Sequence, residues 1–127
     1  MALNILIVDD SAVVRAMIAK TLRLAGVPVA EVHEAGTGQE GLDVLESHWV
    51  DLVFADINMP VMNGEEMIRR IRAVPVWADL PLVIISTEGS ETRINGLLDA
   101  NARFIHKPFT PETVRNVVTE MLGIAHE

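Results

Sequence analysis

Short apolar runs that alternate with helix-forming segments are the feature that most restricts how this chain can fold. Three of these runs, at 4–8, 51–55 and 81–85, are almost wholly apolar and rich in β-branched residues. Strands of this composition lie in parallel sheets that helices cover on both faces. Two further runs, at 31–35 and 103–106, carry charged side chains, which favour the edges of a sheet. The pattern predicts an α/β fold in which five parallel strands lie between two layers of helices.

The segments between the runs carry helix signals. Residues 110–112 combine a capping threonine, a proline at the first helical position and an acid in the first turn. Apolar residues then follow at helical spacing over 114–122. Thr37 and Glu40 have the spacing of a capping box, and Ser90 begins a further helix. A helix after each strand gives five helices in all.

Size and charge limit the classes of function. The chain has 127 residues, half of them hydrophobic, which suits a single domain over 1–127 with no effector domain. Its 18 acidic and 10 basic residues give a net charge of -8, which disfavours binding to nucleic acid or to anionic membranes. Cysteine is absent, so thiol nucleophiles and cysteine-ligated zinc are excluded. Without a long apolar stretch or a signal peptide, a cytoplasmic location is expected.

Several features are given no chemical role. The four histidines are scattered, and none has metal-ligand spacing to another; they are His33, His48, His106 and His126. The arginines at 69, 70 and 72 are interpreted as a solvated basic face. The proline-bearing stretch 73–79 is predicted to be the longest loop.

Polar side chains stand at the predicted carboxyl ends of four strands. Asp9 and Asp10 end the first strand and Asp56 the third, while Ser86 ends the fourth and Lys107 the fifth. Each alone could be a solvated turn residue, a helix cap or a surface lysine. Ligands bind at this edge of an open parallel sheet, so the coincidence at four strand ends predicts one shared site.

Three neighbouring carboxylates repel one another, and a divalent cation would relieve that repulsion. Oxygen ligands without cysteine or clustered histidine favour Mg²⁺. The metal would orient a phosphoryl donor against Asp56, and Lys107 and the Ser86 hydroxyl would contact the transferred group. Asp56 would then be the nucleophile that forms an aspartyl phosphate.

Three motifs together resemble the receiver domain of bacterial two-component response regulators, most closely its stand-alone chemotaxis-type (CheY-like) members. They lie at 5–11, 56–64 and 107–109, so the resemblance spans nearly the full chain. It implies a doubly wound, flavodoxin-like sheet with strand order 2-1-3-4-5. It also implies a phosphorelay in which a sensor histidine kinase, such as a chemotaxis kinase, phosphorylates the chain.

The resemblance gives each matching residue a role at the site. Asp56 would be the phosphoacceptor. Asp10, Asp56 and the backbone carbonyl of Asn58 would ligate Mg²⁺ directly, and Asp9 would act through metal-bound water. Lys107 would contact the acyl phosphate.

Switching would depend on a hydroxyl and an aromatic ring. Ser86 matches the hydroxyl that captures the phosphoryl group, and Phe104 matches the switch aromatic, where chemotaxis regulators commonly have tyrosine. Thr87 replaces the usual small residue after the hydroxyl. A one-residue shift of register would make Thr87 the switch, but the spacing to Lys107 favours Ser86.

Two further positions and one surface complete the prediction. Asn58 and Glu88 lie two residues after Asp56 and Ser86 and would tune the lifetime of the phosphate. A downstream protein target would bind a surface built from three segments, at 90–99, 103–106 and 110–122.

Three other functions use a similar fold or site. A phosphate sink or relay intermediate would have the same site without an output. A haloacid-dehalogenase-like phosphatase also uses Asp, Mg²⁺, a hydroxyl and Lys, but it places its nucleophile in an Asp-x-Asp motif near the N-terminus. Here the nucleophile is central, and Asn58 stands where the second Asp would be. An FMN-binding protein would need a Ser/Thr-rich phosphate loop after the first strand.

Overall fold

The computed structural model describes residues 2–56, 64–86, 101–106 and 109–122, with only the backbone at 64, 65 and 86. The strands are β1 Leu3–Val8, β2 Val29–Ala35, β3 Leu52–Asp56, β4 Leu82–Ser86 and β5 Ala102–His106. The helices in these ranges are α1 Ala12–Leu24, α2 Gly38–Ser47, α3 Gly64–Ala73 and α4 Pro111–Leu122. All five predicted strands are found, each within two residues of its predicted bounds. The helix predicted from Ser90 lies outside the described residues.

The strands form one parallel five-stranded sheet in the order β2-β1-β3-β4-β5. The predicted fold class and strand order are therefore confirmed. The two charge-bearing runs, β2 and β5, occupy the edges as expected. β1, β3 and β4 lie inside the sheet, which explains why their sequences are almost continuously apolar.

Alternate residues of the inner strands pack into two separate hydrophobic cores, one on each face of the sheet. On one face, Leu6 and Val53 pack with side chains of α2 and α3. On the other, Ile7 and Phe54 pack with side chains of α1 and α4. Because the side chains of a strand alternate between faces, successive positions in the middle of each inner strand are apolar.

Side-chain caps fix where the helices begin. The Thr37 hydroxyl accepts from the backbone N–H of Glu40 at 3.1 Å, as the capping box predicts. The Glu40 carboxylate, however, accepts from the N–H of Gly36 at 2.9 Å, one residue before the cap. At α4 the Thr110 hydroxyl accepts from the N–H of Thr113 at 3.1 Å, which confirms the predicted start.

The stretch 73–79 is more ordered than the predicted loop. Ala73 ends α3, and Pro75–Trp77 forms one turn of 3-10 helix. Arg72 donates to the carbonyls of Trp77, at 3.1 Å, and Leu80, at 2.7 Å. The interpretation of Arg72 as part of a solvated face was therefore wrong, because its guanidinium satisfies the carbonyls of this connection.

In the part of the chain that the structure describes, no helix has the length and hydropathy needed to cross a membrane.

Candidate functional site

The carboxyl ends of β1 and β3 bring three carboxylates together. The two strands are neighbours in register, with Val8 opposite Ala55, so the residues that follow them lie side by side. Carboxylate oxygens of Asp9, Asp10 and Asp56 all lie within 4.8 Å of one another. Three of the predicted site residues therefore converge as expected.

The three carboxylates differ in their access to solvent. Asp9 and Asp56 are buried, with 2% and 8% of their surface exposed, whereas Asp10 is exposed. Burial raises the energy of a charged carboxylate, and like charges at this separation repel one another. A cation bound at the exposed side, next to Asp10, would offset both effects.

The turn between β1 and α1 holds Asp9 in place. Its carboxylate accepts from the backbone N–H of Ser11 at 2.9 Å, and its own N–H donates to the carbonyl of Ala35 at 3.0 Å. The Ser11 hydroxyl in turn caps α1 by accepting from the N–H of Val14 at 3.2 Å. One short segment therefore ends the strand, orients a carboxylate and begins a helix.

Arg15 supports this turn, and sequence reasoning missed it. Its guanidinium donates to the Asp9 carbonyl at 2.6 Å and to the Glu34 carboxylate at 2.8 Å. Its side chain is only 18% exposed, although it belongs to a residue type that is usually solvated. The signal available was its position one turn after the capping Ser11, which points it back toward the strand ends.

The fourth predicted residue, Ser86, ends β4 at the same edge of the sheet. Asp56 is opposite Ile85, so the backbone of Ser86 lies one step beyond the level of Asp56. Its side chain is outside the described part of the structure. Four other predicted site residues also lie outside it: Asn58, Thr87, Glu88 and Lys107.

Phe104 lies away from the three carboxylates. It is in the edge strand β5, and β4 separates it from Asp56. Its ring is half-buried against the core that α2 and α3 cover, and it meets the ring of His106 edge-on at 4.6 Å between centroids. The Phe104 ring therefore lies partly exposed on the edge strand β5.

The donor set at the strand ends suits a hard divalent cation. Carboxylate oxygens without thiol or imidazole ligands are the preference of Mg²⁺ and Ca²⁺. Asp9, Asp10 and Asp56 are the one group of three or more potential ligands that converges within the described residues. The acidic cluster could therefore bind a metal ion.

Comparison with known proteins identifies the family of this chain. The family model for the response regulator receiver domain matches residues 5–119. This chain belongs to the response regulator receiver family. The family places it in two-component signalling, in which receiver domains act as switches between histidine kinases and downstream targets.

Chemotaxis proteins are among the relatives of this receiver domain. The chain is 35% identical over 123 residues to a chemotaxis protein CheY homolog of Campylobacter jejuni, covering 95% of this chain and 93% of that one. It is 32% identical to chemotaxis protein CheY1 of Helicobacter pylori, covering 95% and 98% of the two chains. The solved structure of chemotaxis response regulator CheY4 of Vibrio cholerae superposes with a TM-score of 0.80 at 30% identity, covering 95% and 99%. The CheY-like resemblance seen in the sequence is therefore confirmed.

Proposed function

We propose that this receiver domain is a signalling switch operated by phosphorylation of Asp56. The observation that carries the proposal is the convergence of Asp9, Asp10 and Asp56 within 4.8 Å at the ends of two inner strands. Two of these like charges, Asp9 and Asp56, are buried, which is costly to a fold and is best explained by chemistry that needs them. The match to the receiver family indicates phosphoryl transfer as that chemistry.

Asp56 is the member of the cluster best suited to be the phosphoacceptor. One carboxylate oxygen of Asp9 accepts the Ser11 N–H at 2.9 Å, so that oxygen already helps to hold the turn. Asp10 lies at the exposed edge, where it can meet a hydrated cation. Asp56 ends the central strand β3 and is almost buried, which restricts access of water to an acyl phosphate there.

The step is an in-line displacement at phosphorus. A carboxylate oxygen of Asp56 attacks the phosphorus atom of a phosphohistidine on a sensor kinase or of a small donor such as acetyl phosphate. The bond from phosphorus to the leaving nitrogen or oxygen breaks, and the leaving group keeps that electron pair. Asp9, Asp10, Asp56 and the Asn58 carbonyl would hold Mg²⁺, which when bound neutralises charge on the phosphoryl oxygens. Lys107 would add a second positive charge.

The output follows from the added charge, because the phosphate brings about two negative charges to the edge of the sheet. The Ser86 hydroxyl would donate to a phosphoryl oxygen, and Phe104 would turn inward from its half-buried position in β5. The surface built from 90–99, 103–106 and 110–122 would then change its affinity for a downstream protein. This is a population shift between two states, so it acts only through contacts that differ between them.

The direct test is the intact mass after incubation with acetyl phosphate, with and without Mg²⁺, for the wild type and Asp56→Asn. We expect a Mg²⁺-dependent gain of one phosphoryl group, labile to hydroxylamine and absent from the variant. Asp43→Asn, which removes an exposed acid from α2, is the charge-matched control and should be phosphorylated normally. A gain that persists in Asp56→Asn would refute Asp56 as the acceptor.

Further measurements separate the receiver from the alternatives. Beryllofluoride with Mg²⁺ mimics the phosphoryl group, so NMR shifts that include residues near Asp56 and Phe104 are expected. Ser86→Ala should accept phosphate yet fail to shift Phe104, and a normal response would remove Ser86 from the switch. Multiple turnover on an external phosphate ester, dependent on Asp56, would instead indicate a phosphatase.

A further inference from the structure

An open groove lies at the opposite end of the sheet from the acidic cluster. It has a volume of about 790 Å³ and runs between the residues before β3 and the connection from α3 to β4. Its lining residues fall within 45–51 and 76–81. The groove thus borders the amino ends of two inner strands, whereas Asp56 ends β3 at the other edge.

The groove exposes large hydrophobic side chains. Trp49 and Val76 are 73% and 74% exposed, and Trp77 is half-buried against the core. Both tryptophans of the chain therefore lie on this one surface. Exposed tryptophan is uncommon on an isolated domain and is enriched where proteins bind their partners.

Hydrogen bonds hold the Trp49 side chain and the Trp77 backbone in position. The Trp49 indole donates to one carboxylate oxygen of Asp51 at 2.8 Å, and the other oxygen accepts from the Asn4 N–H at 2.8 Å. Arg72 donates to the Trp77 carbonyl at 3.1 Å. A groove with preorganised walls loses less conformational entropy when it binds a partner.

Three carboxylates line the groove, and Arg72, which bonds the carbonyls of Trp77 and Leu80, is not itself a lining residue. Glu46, Asp51 and Asp79 line it, and none of its lining residues, all in the described part of the chain, is a lysine or an arginine. We propose that this groove docks a basic segment of a partner protein in which arginine or lysine lies next to apolar side chains. The cation would stack on Trp49 and pair with the neighbouring carboxylates, and the apolar side chain would pack between Val76 and Trp77.

This charge also weighs against other occupants. A second copy of the chain would bring a further net charge of -8, and an anionic membrane would be repelled. The docking does not depend on the proposed phosphorylation, because the groove is built from other residues at the other end of the sheet. A partner could therefore stay bound in the groove while Asp56 is phosphorylated and dephosphorylated.

The test uses the two tryptophans as the reporter. A capped heptapeptide in which glycine, arginine and leucine repeat is titrated into the protein without Mg²⁺ or phosphoryl donor, and tryptophan emission is recorded. We expect saturable binding that weakens as salt is raised, because exposed charges are screened. The same peptide with glutamate in place of arginine should bind at least about fivefold more weakly.

Variants locate the binding. Trp49→Ala should weaken binding about fivefold, reported by Trp77, and Glu46→Gln with Asp79→Asn about threefold. Leu24→Ala removes a side chain that is 65% exposed on α1, outside the groove, and should leave binding unchanged.

Equal affinity for the arginine and glutamate peptides would overturn the proposal, and so would groove variants that bind as the wild type does. A dimer that Trp49→Ala abolishes would also overturn it, in favour of self-association. None of these outcomes bears on the mass test of Asp56.

Discussion

Arg15 ties three segments together beside the acidic cluster. It bonds the Asp9 carbonyl after β1 and the Glu34 carboxylate on β2, while its own backbone belongs to α1. Removing it would leave the carbonyl of the buried Asp9 without this bond, which costs about 1–3 kcal/mol, whereas the exposed Glu34 carboxylate can be hydrated instead. We therefore expect Arg15→Ala to lower the free energy of unfolding, measured by urea denaturation, by roughly 1–2 kcal/mol.

Arg23 provides the matched control for this prediction. It is exposed in the last turn of the same helix, so Arg23→Ala should change the free energy of unfolding by less than about 0.5 kcal/mol. If Arg15→Ala were as mild as Arg23→Ala, the hydrogen bonds of Arg15 would add nothing to the stability of the turn.

At the scale of the element, α1 ends in a Schellman motif. Gly26 has φ of +79° and donates to the Arg23 carbonyl at 3.1 Å, and Val27 donates to the Leu22 carbonyl at 3.1 Å. A side chain at a positive φ is strained although space is open around Gly26. We expect Gly26→Ala to lower the free energy of unfolding by about 1 kcal/mol. Gly26→Asn should cost less, because asparagine tolerates this conformation better, and equal losses would contradict the backbone explanation.

A second element-scale prediction concerns the connection from α3 to β4. Arg72 donates to the carbonyls of Trp77, Leu80 and Asn101, so one side chain joins the 3-10 turn to the start of β5. Replacing it by methionine keeps the apolar stem and removes every donor. We expect Arg72→Met to lower the urea midpoint by an amount equivalent to about 2 kcal/mol.

Arg70, on the same helix, provides the charge-matched control for Arg72. It makes an exposed pair with Glu66 at 3.0 Å, four residues earlier, so Arg70→Met should cost no more than about 0.5 kcal/mol. Similar losses for Arg70→Met and Arg72→Met would mean that the carbonyl contacts of Arg72 are not what stabilises the connection.

The elements that sequence alone predicted well are those with a local physical signal. The three inner strands are almost continuously apolar because both faces are covered. Thr37 and Thr110 cap helices at the predicted residues. The convergence of Asp9, Asp10 and Asp56 also followed from topology, since parallel strands end at one edge.

What sequence did not predict depends on contacts between distant segments. Arg72 resembles its neighbours Arg69 and Arg70 in sequence, and only the folded connection supplies the carbonyls that it bonds. The groove around Trp49 and Trp77 combines residues 45–51 and 76–81, which no periodicity relates. Such features become visible only once the sheet order is known.

At the scale of the whole molecule, a cation bound by the acidic cluster would add to the stability of the fold. A cation that binds only the folded state stabilises it by RT ln(1 + [L]/Kd), about 1 kcal/mol when Mg²⁺ is five times its Kd. For a domain of this size we expect the melting temperature, measured by calorimetry, to rise by roughly 4 °C at that Mg²⁺ concentration.

Asp10→Asn tests whether that rise comes from the cluster. Without Mg²⁺ the variant should melt at or above the wild-type temperature, because one repulsive charge is gone. Its melting temperature should rise much less than that of the wild type when Mg²⁺ is added. Asp43→Asn changes the net charge equally but lies on α2, so its Mg²⁺ response should match that of the wild type. A full response in Asp10→Asn would place the cation elsewhere on this acidic molecule.

Spectroscopy should show that a cation bound at one end of the sheet does not perturb the groove at the other end. Both tryptophans line the groove at the amino end, while Asp56 lies at the other end of β3, four residues or about 13 Å along the strand from Leu52. The inner strand between them is fully buried and closely packed, so we expect it to transmit little displacement when a cation binds.

Mg²⁺ at the concentration that raises the melting temperature should therefore leave the position and intensity of tryptophan emission unchanged. The arginine peptide in the same buffer should change that emission, which shows that the reporter works. A Mg²⁺-dependent shift in tryptophan emission that Asp10→Asn abolishes would mean that the two ends are coupled through the sheet, and that docking in the groove responds to the state of Asp56.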